Sequence, residues 1–139
     1  MNLITALDVN ATGLTAQRKR VEVTSSNLAN SQTTRTDEGG PYRRKDVVFQ
    51  TFKQSLGMMV DDGVDSVEVS DVVDDPRPFD RRYEPGHPDA DAQGYVAYPN
   101  VDLMTEIANL VEGSRTYEAN LSAIAVVKAM IARTLEIGR

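Results

Sequence analysis

The only histidine of the chain, His87, lies next to two carboxylates and raises the question of a metal site. Asp89 and Asp91 follow it at a spacing of two residues, and Pro88 stiffens the segment. A zinc site usually needs three or four ligands, often including Cys, and this chain contains no Cys. We therefore predict no metal ion here, and expect a turn in which Asp side chains accept hydrogen bonds from backbone N–H groups.

The same segment also resembles the start of a calcium-binding EF-hand loop. The resemblance fails at Gln93, where Asp or Asn is needed, and at the twelfth position of the loop, which is Asn100 rather than Glu. Neighbouring prolines also prevent the helix that should enter such a loop. We predict no calcium site and no cofactor.

Acidic side chains are numerous, so a hydrolase that cuts peptidoglycan with Glu84 or Asp89 is one alternative. Such an enzyme needs aromatic platforms for the sugar, and the chain has no Trp. The sequence also lacks a Gly-rich phosphate loop, a G-x-S-x-G motif and an H-E-x-x-H motif. We predict no catalytic residues and a protein that is not an enzyme.

Composition and charge narrow the possible classes of protein. The 139 residues are 40% hydrophobic and 26% charged, which allows one domain-sized core or a helical unit with a small β module. The net charge of −6 argues against a nucleic-acid binder. No apolar run approaches the roughly 18 residues that cross a bilayer. Asp8 and Asn10 interrupt the apolar stretch that a signal peptide would need.

The C-terminal third has the clearest periodicity in the sequence. Apolar residues recur at alternating spacings of four and three, which is a heptad seam, and only Ser114 and Lys128 interrupt it. The spacing predicts one helix over 101–137, with Asn100 or Asp102 as its N-cap and Glu106 placed to favour its N-terminus. The seam residues are Leu103, Ile107, Leu110, Tyr117, Leu121, Ile124, Ile131 and Leu135.

The N-terminal stretch has the same period. Leu7, Leu14, Val21 and Leu28 fall seven residues apart and predict a helix from about residue 3 to residue 29. Between the two helices the pattern changes. A turn is predicted at 37–41, and strands or extended segments are predicted at 42–52, 64–70 and 94–98. Five of the six prolines lie in 74–100, which excludes a long helix there.

The predicted fold class is mainly α with a small β or irregular insert. We expect residues 1–30 and 101–139 to form an antiparallel coiled-coil unit, with an outward-facing segment at 31–100. Two helices alone cannot bury seams wider than their mutual contact, so we expect the remaining apolar surface to contact other subunits. The alternative is an intramolecular helical hairpin with a β insert that is stable by itself.

Two residues or runs on the helices could set contacts between subunits. Lys128 interrupts the apolar seam, where a polar residue can fix the register of a coiled coil, and it could meet Asp8 or Glu22 of the N-terminal helix. The basic run Arg18–Arg20 could meet an acidic segment of another subunit, or could simply be an exposed polar face.

Several stretches resemble the family of flagellar axial proteins, which includes rod and hook proteins. The first is Ser26, Asn27, Leu28, Ala29 and Asn30, which resembles the S-N-(I/L)-A-N signature of that family. Residues 34–45 and 83–101 are similar to the stretches of its proximal rod members, and residues 114–120 match S-R-x-Y-x-A-N. In 83–101 the matching residues include His87, Pro88, Asp89, Gly94, Tyr95, Pro99 and Asn100. Residues 54–76 match no stretch of the family.

The resemblance implies a structural role in the flagellar basal body. Subunits of this kind are expected to pass through the flagellar type III export apparatus without a cleaved signal peptide. They assemble helically in the periplasm around the export channel. The implied partners are other copies of the chain, other flagellar rod proteins, an adaptor protein at the rod base and the export apparatus. A soluble two-helix adaptor that does not polymerise is the alternative.

Overall fold

One long helix precedes and one follows an insert in which the structure describes four strands. The computed structural model describes residues 3–53 and 65–137, and the predicted strand start at Val64 lies outside these residues. The elements in chain order are α1 (Leu3–Ala29), β1 (Lys45–Lys53), β2 (Asp65–Asp74), β3 (Asp80–Tyr83), β4 (Tyr95–Tyr98) and α2 (Leu103–Ile137). The predicted fold class, mainly α with a small β insert between two long terminal helices, is confirmed.

The two helices pair in antiparallel fashion along most of their length. A Cβ atom placed on Gly13 would lie 3.2 Å from Nδ2 of Asn120, and one on Gly113 would lie 3.0 Å from Cγ2 of Val21. Residue numbers therefore rise along α1 as they fall along the facing side of α2. Both glycines allow the helices to approach closely, which explains why residues of low helix propensity lie in the middle of long helices.

The insert consists of two separate two-stranded antiparallel sheets. Strand β1 pairs with β2, with an irregularity in register between Val48 and Phe49, and this sheet packs against α1. Strand β3 pairs with β4 in the second sheet. The second strand is longer than the predicted segment at 64–70, because its pairing with β1 continues to Asp74. Strand β3 was not predicted as a strand, since Asp80–Tyr83 has no alternating apolar pattern.

Polar side chains cap the ends of the helices. Asp102 is the N-cap of α2, because its Oδ1 accepts a hydrogen bond from the Thr105 N–H at 3.0 Å. This bond lowers the pKa of Asp102 below its ordinary value. At the end of α1, Asn30 donates its side-chain amide to the carbonyl oxygen of Ser26. No described helix is long and apolar enough to span a membrane.

The apolar core of the described residues is small. Only Ala16, Val23 and Val96 are buried hydrophobic residues there. The chain exposes 9776 Å² of surface, whereas a compact monomer of this size would expose about 7,100 Å². Burial within one copy therefore leaves an unusually large surface in contact with solvent.

Aromatic rings and a left-handed glycine stabilise the β3–β4 sheet. The rings of Tyr83 and Tyr95 meet edge to face with centroids 5.3 Å apart. Gly94, which precedes β4, has φ of 83°, and a Cβ atom there would lie 2.9 Å from Cε2 of Tyr83 and 3.2 Å from Cβ of Pro85. Only glycine avoids both the backbone strain and the steric clash at this position.

The variant Gly94→Ala is expected to destabilise this sheet by about 1–3 kcal/mol, because Ala must adopt a left-handed conformation beside the Tyr83 ring. The control is Gly86→Ala, where a Cβ atom would meet nothing within 4 Å, and its stability should stay at or slightly above that of the wild type. The near-UV circular dichroism of the tyrosines, followed in urea, measures both. Equal unfolding midpoints for the two variants would contradict this account of Gly94.

Candidate assembly interface

Five polar residues from four parts of the chain meet between the helices and the insert. They are Asn27 of α1, Arg44 before β1, Asp75 after β2, and Asn100 and Glu106 at the start of α2. We call this group the polar junction. Since α1, α2 and the insert all contribute side chains to it, the junction determines how the insert sits on the helix pair.

Asn27 connects α1 to the segment that enters β1. Its Oδ1 accepts hydrogen bonds from the Lys45 N–H at 2.9 Å and from the Tyr42 hydroxyl at 3.0 Å. Its Nδ2 donates to the Lys45 carbonyl oxygen at 2.8 Å and to Oε2 of Glu106 at 3.1 Å. The side chain is 1% exposed, and all its donors and acceptors are used. A residue of another shape could not make these four bonds.

Glu106 is the buried charge at the centre of the junction. It is 1% exposed, and its Oε1 accepts a hydrogen bond from Nε of Arg44 at 2.8 Å. Burial lowers the pKa of Arg44, but hydrogen bonds to Glu106 and Asp46 outweigh this effect and raise it above its ordinary value. The guanidinium therefore stays charged beside the carboxylate, as a buried ion pair requires.

A second layer of bonds surrounds Arg44. Its backbone N–H donates to Oδ1 of Asn100 at 2.9 Å, and its Nη1 lies 3.4 Å from Oδ2 of Asp75. Asn100 also donates to the carbonyl oxygens of Asp75 and Arg77 at 3.3 and 3.2 Å. Hydrogen bonds from Arg77 lower the pKa of Asp75 to about 2. These bonds attach the segment between the two sheets to the first turn of α2.

Sequence reasoning identified part of this junction. Asn27 and Asn100 were motif residues, but Asn100 as a possible N-cap was wrong, because it bonds to Arg44 and leaves capping to Asp102. Glu106 was expected only to favour the helix N-terminus. Arg44 lies in the matching stretch 34–45 but was not singled out, and Asp75 lies in the segment without a match. Neither of these two residues carries a local signal for its role.

The segment around His87 is a hydrogen-bonded turn. Nδ1 of His87 accepts the Asp89 N–H at 3.1 Å, and Asp89 Oδ2 accepts the Thr34 hydroxyl at 2.8 Å. Oδ1 of Asp91 accepts the N–H groups of Gln93 and Tyr95, both at 2.9 Å. The predicted turn with carboxylates on backbone N–H groups is confirmed. Within 3–53 and 65–137 no three His, Asp or Glu side chains are placed to hold a metal ion.

The remaining motif residues differ in burial and contacts. Ser26 Oγ lies 3.4 Å from the Tyr42 hydroxyl oxygen. Leu28 is half-buried and Ala29 is exposed, while Pro99 is buried and Pro88 is exposed. The signature at 26–30 thus combines one buried asparagine with the residues that end α1.

Large apolar side chains on α2 are exposed in the single copy. We call them the exposed apolar set of α2: Leu103, Met104, Ile107, Val111, Leu121, Val126, Met130 and Leu135. Leu121 is 52% exposed and Leu135 is 69% exposed. Four of the predicted seam residues belong to this set, and Met104, Val111, Val126 and Met130 were not predicted.

The other predicted apolar interface residues are half-buried in one copy. They are Leu7, Leu14, Val21 and Leu28 on α1, and Leu110, Tyr117, Ile124 and Ile131 on α2. The four on α2 are seven residues apart, whereas the exposed Ile107, Leu121 and Leu135 lie at multiples of seven from one another. One line of the seam is therefore half-buried within one copy, and the other line is exposed.

The ion pairs of the helices differ from those suggested by the sequence. Glu22 lies 3.2 Å from Lys19, and the contact of the adjacent Val21 with Gly113 places it far along α2 from Lys128, so it is not the partner of Lys128 within one copy. Lys128 is exposed and forms no ion pair with any described residue. Arg20 bridges the helices, with 3.5 Å between its Nη2 and Oε2 of Glu112, while Arg18 is exposed.

Comparison with known proteins identifies the family. The family model described as "Flagella basal body rod protein" matches residues 7–35, and that described as "Flagellar basal body rod FlgEFG protein C-terminal" matches residues 92–137. The flagellar basal-body rod protein FlgC of Bacillus subtilis is 41% identical over 150 residues, covering all of both chains. The FlgC proteins of Escherichia coli O6:H1 and Borreliella burgdorferi are 40% and 39% identical, the latter covering 99% of this chain and 98% of its own. The chain belongs to the FlgC family of flagellar basal-body rod proteins.

Membership of the FlgC family establishes the broad role of the chain. It is a structural subunit of the flagellar rod, located in the basal body, and it assembles with other rod components. The relatives in the FlgC family are named as rod proteins and not as enzymes. The alternative of a two-helix adaptor that never polymerises finds no support among them.

The variant Glu106→Ala is expected to lower the free energy of unfolding by roughly 3–5 kcal/mol, because it leaves the Arg44 guanidinium without its main buried partner. Glu112→Ala is the matched control on the same helix. That carboxylate is 65% exposed and should contribute only about 0–1 kcal/mol. Urea unfolding followed by far-UV circular dichroism measures both, and similar midpoints would refute a central role for Glu106.

Asp75 should make stability depend on pH below neutrality. Its folded pKa of about 2 lies below the ordinary value of about 3.9, so its contribution is full above pH about 4 and is lost as the pH falls toward 2. Asp75→Asn should therefore lower stability at pH 7 and flatten its fall between pH 4 and 2. Arg77→Gln should flatten the same limb, since Arg77 supplies the largest cause of the shift. A limb of unchanged slope in both variants would exclude Asp75 as its source.

Proposed function

We propose that this chain forms part of the proximal rod and polymerises helically through its two terminal helices. The observation that carries the proposal is the exposed apolar set of α2, large side chains spread along the helix that one copy leaves in solvent. Exposed apolar surface of this extent usually marks an interface with another protein. The predicted interface residues on both helices form the surface through which copies and neighbouring rod proteins pack.

The excess surface supports an assembly of several copies. A chain of this size exposes about 2,600 Å² more than a compact monomer would, since its area is 9776 Å². Stable permanent interfaces bury on the order of 2,000 Å² or more. If the contact joins two different surfaces of the chain and does not close into a ring, repetition produces a helical filament.

The polar junction suits a subunit that transmits torque. The long helices make their hydrogen bonds internally, so a load along them does not need to separate strands. Glu106 and Asn27 connect both helices to each other, and Arg44 extends the connection to the insert. Close-packed interiors resist shear, so rotation applied to one subunit is passed to the next.

The proposal includes the route and the surroundings of the chain. We propose export through the flagellar type III apparatus without a cleaved signal peptide, followed by assembly in the periplasm around the export channel. An adaptor protein at the rod base, other rod proteins and the export apparatus are the partners. The small apolar core supports export in an unfolded form, because little burial must be given up inside the channel.

The proposed function is structural and includes no catalytic step. Glu84 and Asp89, the carboxylates a peptidoglycan hydrolase would use, bind Tyr98 and Thr34 within the described insert. These bonds give both carboxylates a role in the turn between β3 and β4.

Leu121→Asp is expected to prevent rod assembly and abolish motility while leaving the amount of protein in the cell unchanged. The side chain is already 52% exposed in one copy, so the charge harms the chain only when another subunit covers it. Leu121→Met keeps an apolar side chain of similar volume and should retain assembly. Motility assays and electron microscopy of basal bodies provide the measurements. Motile cells with normal rods containing Leu121→Asp would contradict the proposed interface.

A further inference from the structure

A groove of about 560 Å³ lies between α1 and the β1–β2 sheet. Its walls are mostly apolar or small: Ala11, Thr12 and Thr15 of α1 face Phe52 and Val67 of the sheet. Small side chains on α1 let another helix approach its backbone closely. Within the groove Ala16 is buried, whereas Ala11 and Thr15 are exposed.

The groove is on the side of α1 that faces away from α2. Gly13 marks the α2 side, because a Cβ atom there would lie 3.2 Å from Asn120. Thr15 follows Gly13 by two residues, which is about 200° around an α-helix. An occupant of the groove must therefore come from outside the helix pair of the same copy.

Opposite charges lie near the two ends of this side of α1. Asp8 is one turn before Ala11 and Thr12, and Lys19 lines the groove at its other end. The two residues are about 16 Å apart along the helix axis, at 1.5 Å per residue. Among the described residues Asp8 forms no ion pair, while Lys19 contacts the exposed Glu22.

The C-terminal end of α2 has a matching pattern. Lys128, Ala132, Leu135 and Glu136 lie four, three and one residues apart, which places them on neighbouring positions of one helix face. All four are exposed. Lys128 and Glu136 are about 12 Å apart along the axis, which is about 4 Å less than the spacing of Asp8 and Lys19. The long, flexible side chains of the two lysines can span this difference.

This end of α2 also projects beyond α1. Continuing the register of Gly13 with Asn120 by ten residues places Leu3 level with Met130. The described part of α2 ends at Ile137, so about seven residues, or about 10 Å, extend past the start of α1. Leu135 lies in this extension, beyond the described part of α1, and is 69% exposed.

We propose that the α1 groove of one copy binds the C-terminal end of α2 from a second copy, with the two helices parallel. In this arrangement Lys128 lies near Asp8, Glu136 lies near Lys19, and Leu135 enters the groove beside Thr15. Groove and helix end are different surfaces of the same chain, so the contact can repeat without closing. The inference rests on the proposed function and names one contact within that assembly.

Disulfide cross-linking tests the contact, because the chain has no Cys of its own. Cells express two differently tagged copies, one with Thr15→Cys and one with Leu135→Cys, and basal bodies are isolated after mild oxidation. We expect a disulfide-linked dimer that contains both tags. The control pair is Thr15→Cys with Met104→Cys, which is 74% exposed at the other end of α2 and should not link.

The result distinguishes this inference from the proposed function. Rods that contain both copies but give no dimer of Thr15→Cys with Leu135→Cys would overturn the contact and leave the rod function intact. A dimer formed equally well with Met104→Cys would also overturn it, since another part of α2 would then reach the groove. A chain that is absent from isolated rods would overturn the proposed function itself.

Charge reversal gives an independent measurement on the same cross-link. Asp8→Lys in the copy with Thr15→Cys should lower the dimer yield at least several-fold, because it places two lysines together. Lys128→Asp in the copy with Leu135→Cys should restore the yield. A yield that does not change with Asp8→Lys, or is not restored by Lys128→Asp, would contradict the parallel register.

Discussion

The structure depends on the buried carboxylate of Glu106 and on the groups that must compensate for its charge. An ionised carboxylate removed from water is strongly unfavourable unless it is paired and hydrogen-bonded. Arg44 supplies the opposite charge from the insert, and Asn27 supplies an amide N–H from α1. Because the two donors come from the insert and from α1 while Glu106 lies on α2, satisfying this carboxylate fixes the positions of all three parts together.

Polar contacts therefore hold the helices and the insert together, which an apolar core does in most domains of this size. Among the described residues the buried apolar side chains are few and small, while Asn27 and Glu106 are among the largest buried ones. Hydrogen bonds specify geometry more narrowly than apolar contacts do, because both distance and direction matter. The junction thus defines one arrangement of the subunit, while the apolar side chains of α2 remain available for other copies.

The two sides of α1 have different roles in this arrangement. One side packs on α2, where Gly13 and Gly113 bring the helices close together. The other side lies against the β1–β2 sheet and opens into the α1 groove near Thr15. A subunit in a helical filament needs two distinct surfaces that fit each other, and this chain has an apolar helix on one side and a recess on the other.

The sequence by itself determined the two helices and the family. A helix from about residue 3 to residue 29 was predicted, and α1 spans Leu3–Ala29, because helical periodicity is a local property of the chain. Only the tertiary structure decided the roles of Arg44 and Asp75, whose contacts to Glu106 and Arg44 join residues 62 and 31 positions apart. It also decided which seam residues are covered within one copy: Leu110 is half-buried whereas Leu121 and Leu135 are exposed, and this depends on which line of the seam a second part of the chain covers.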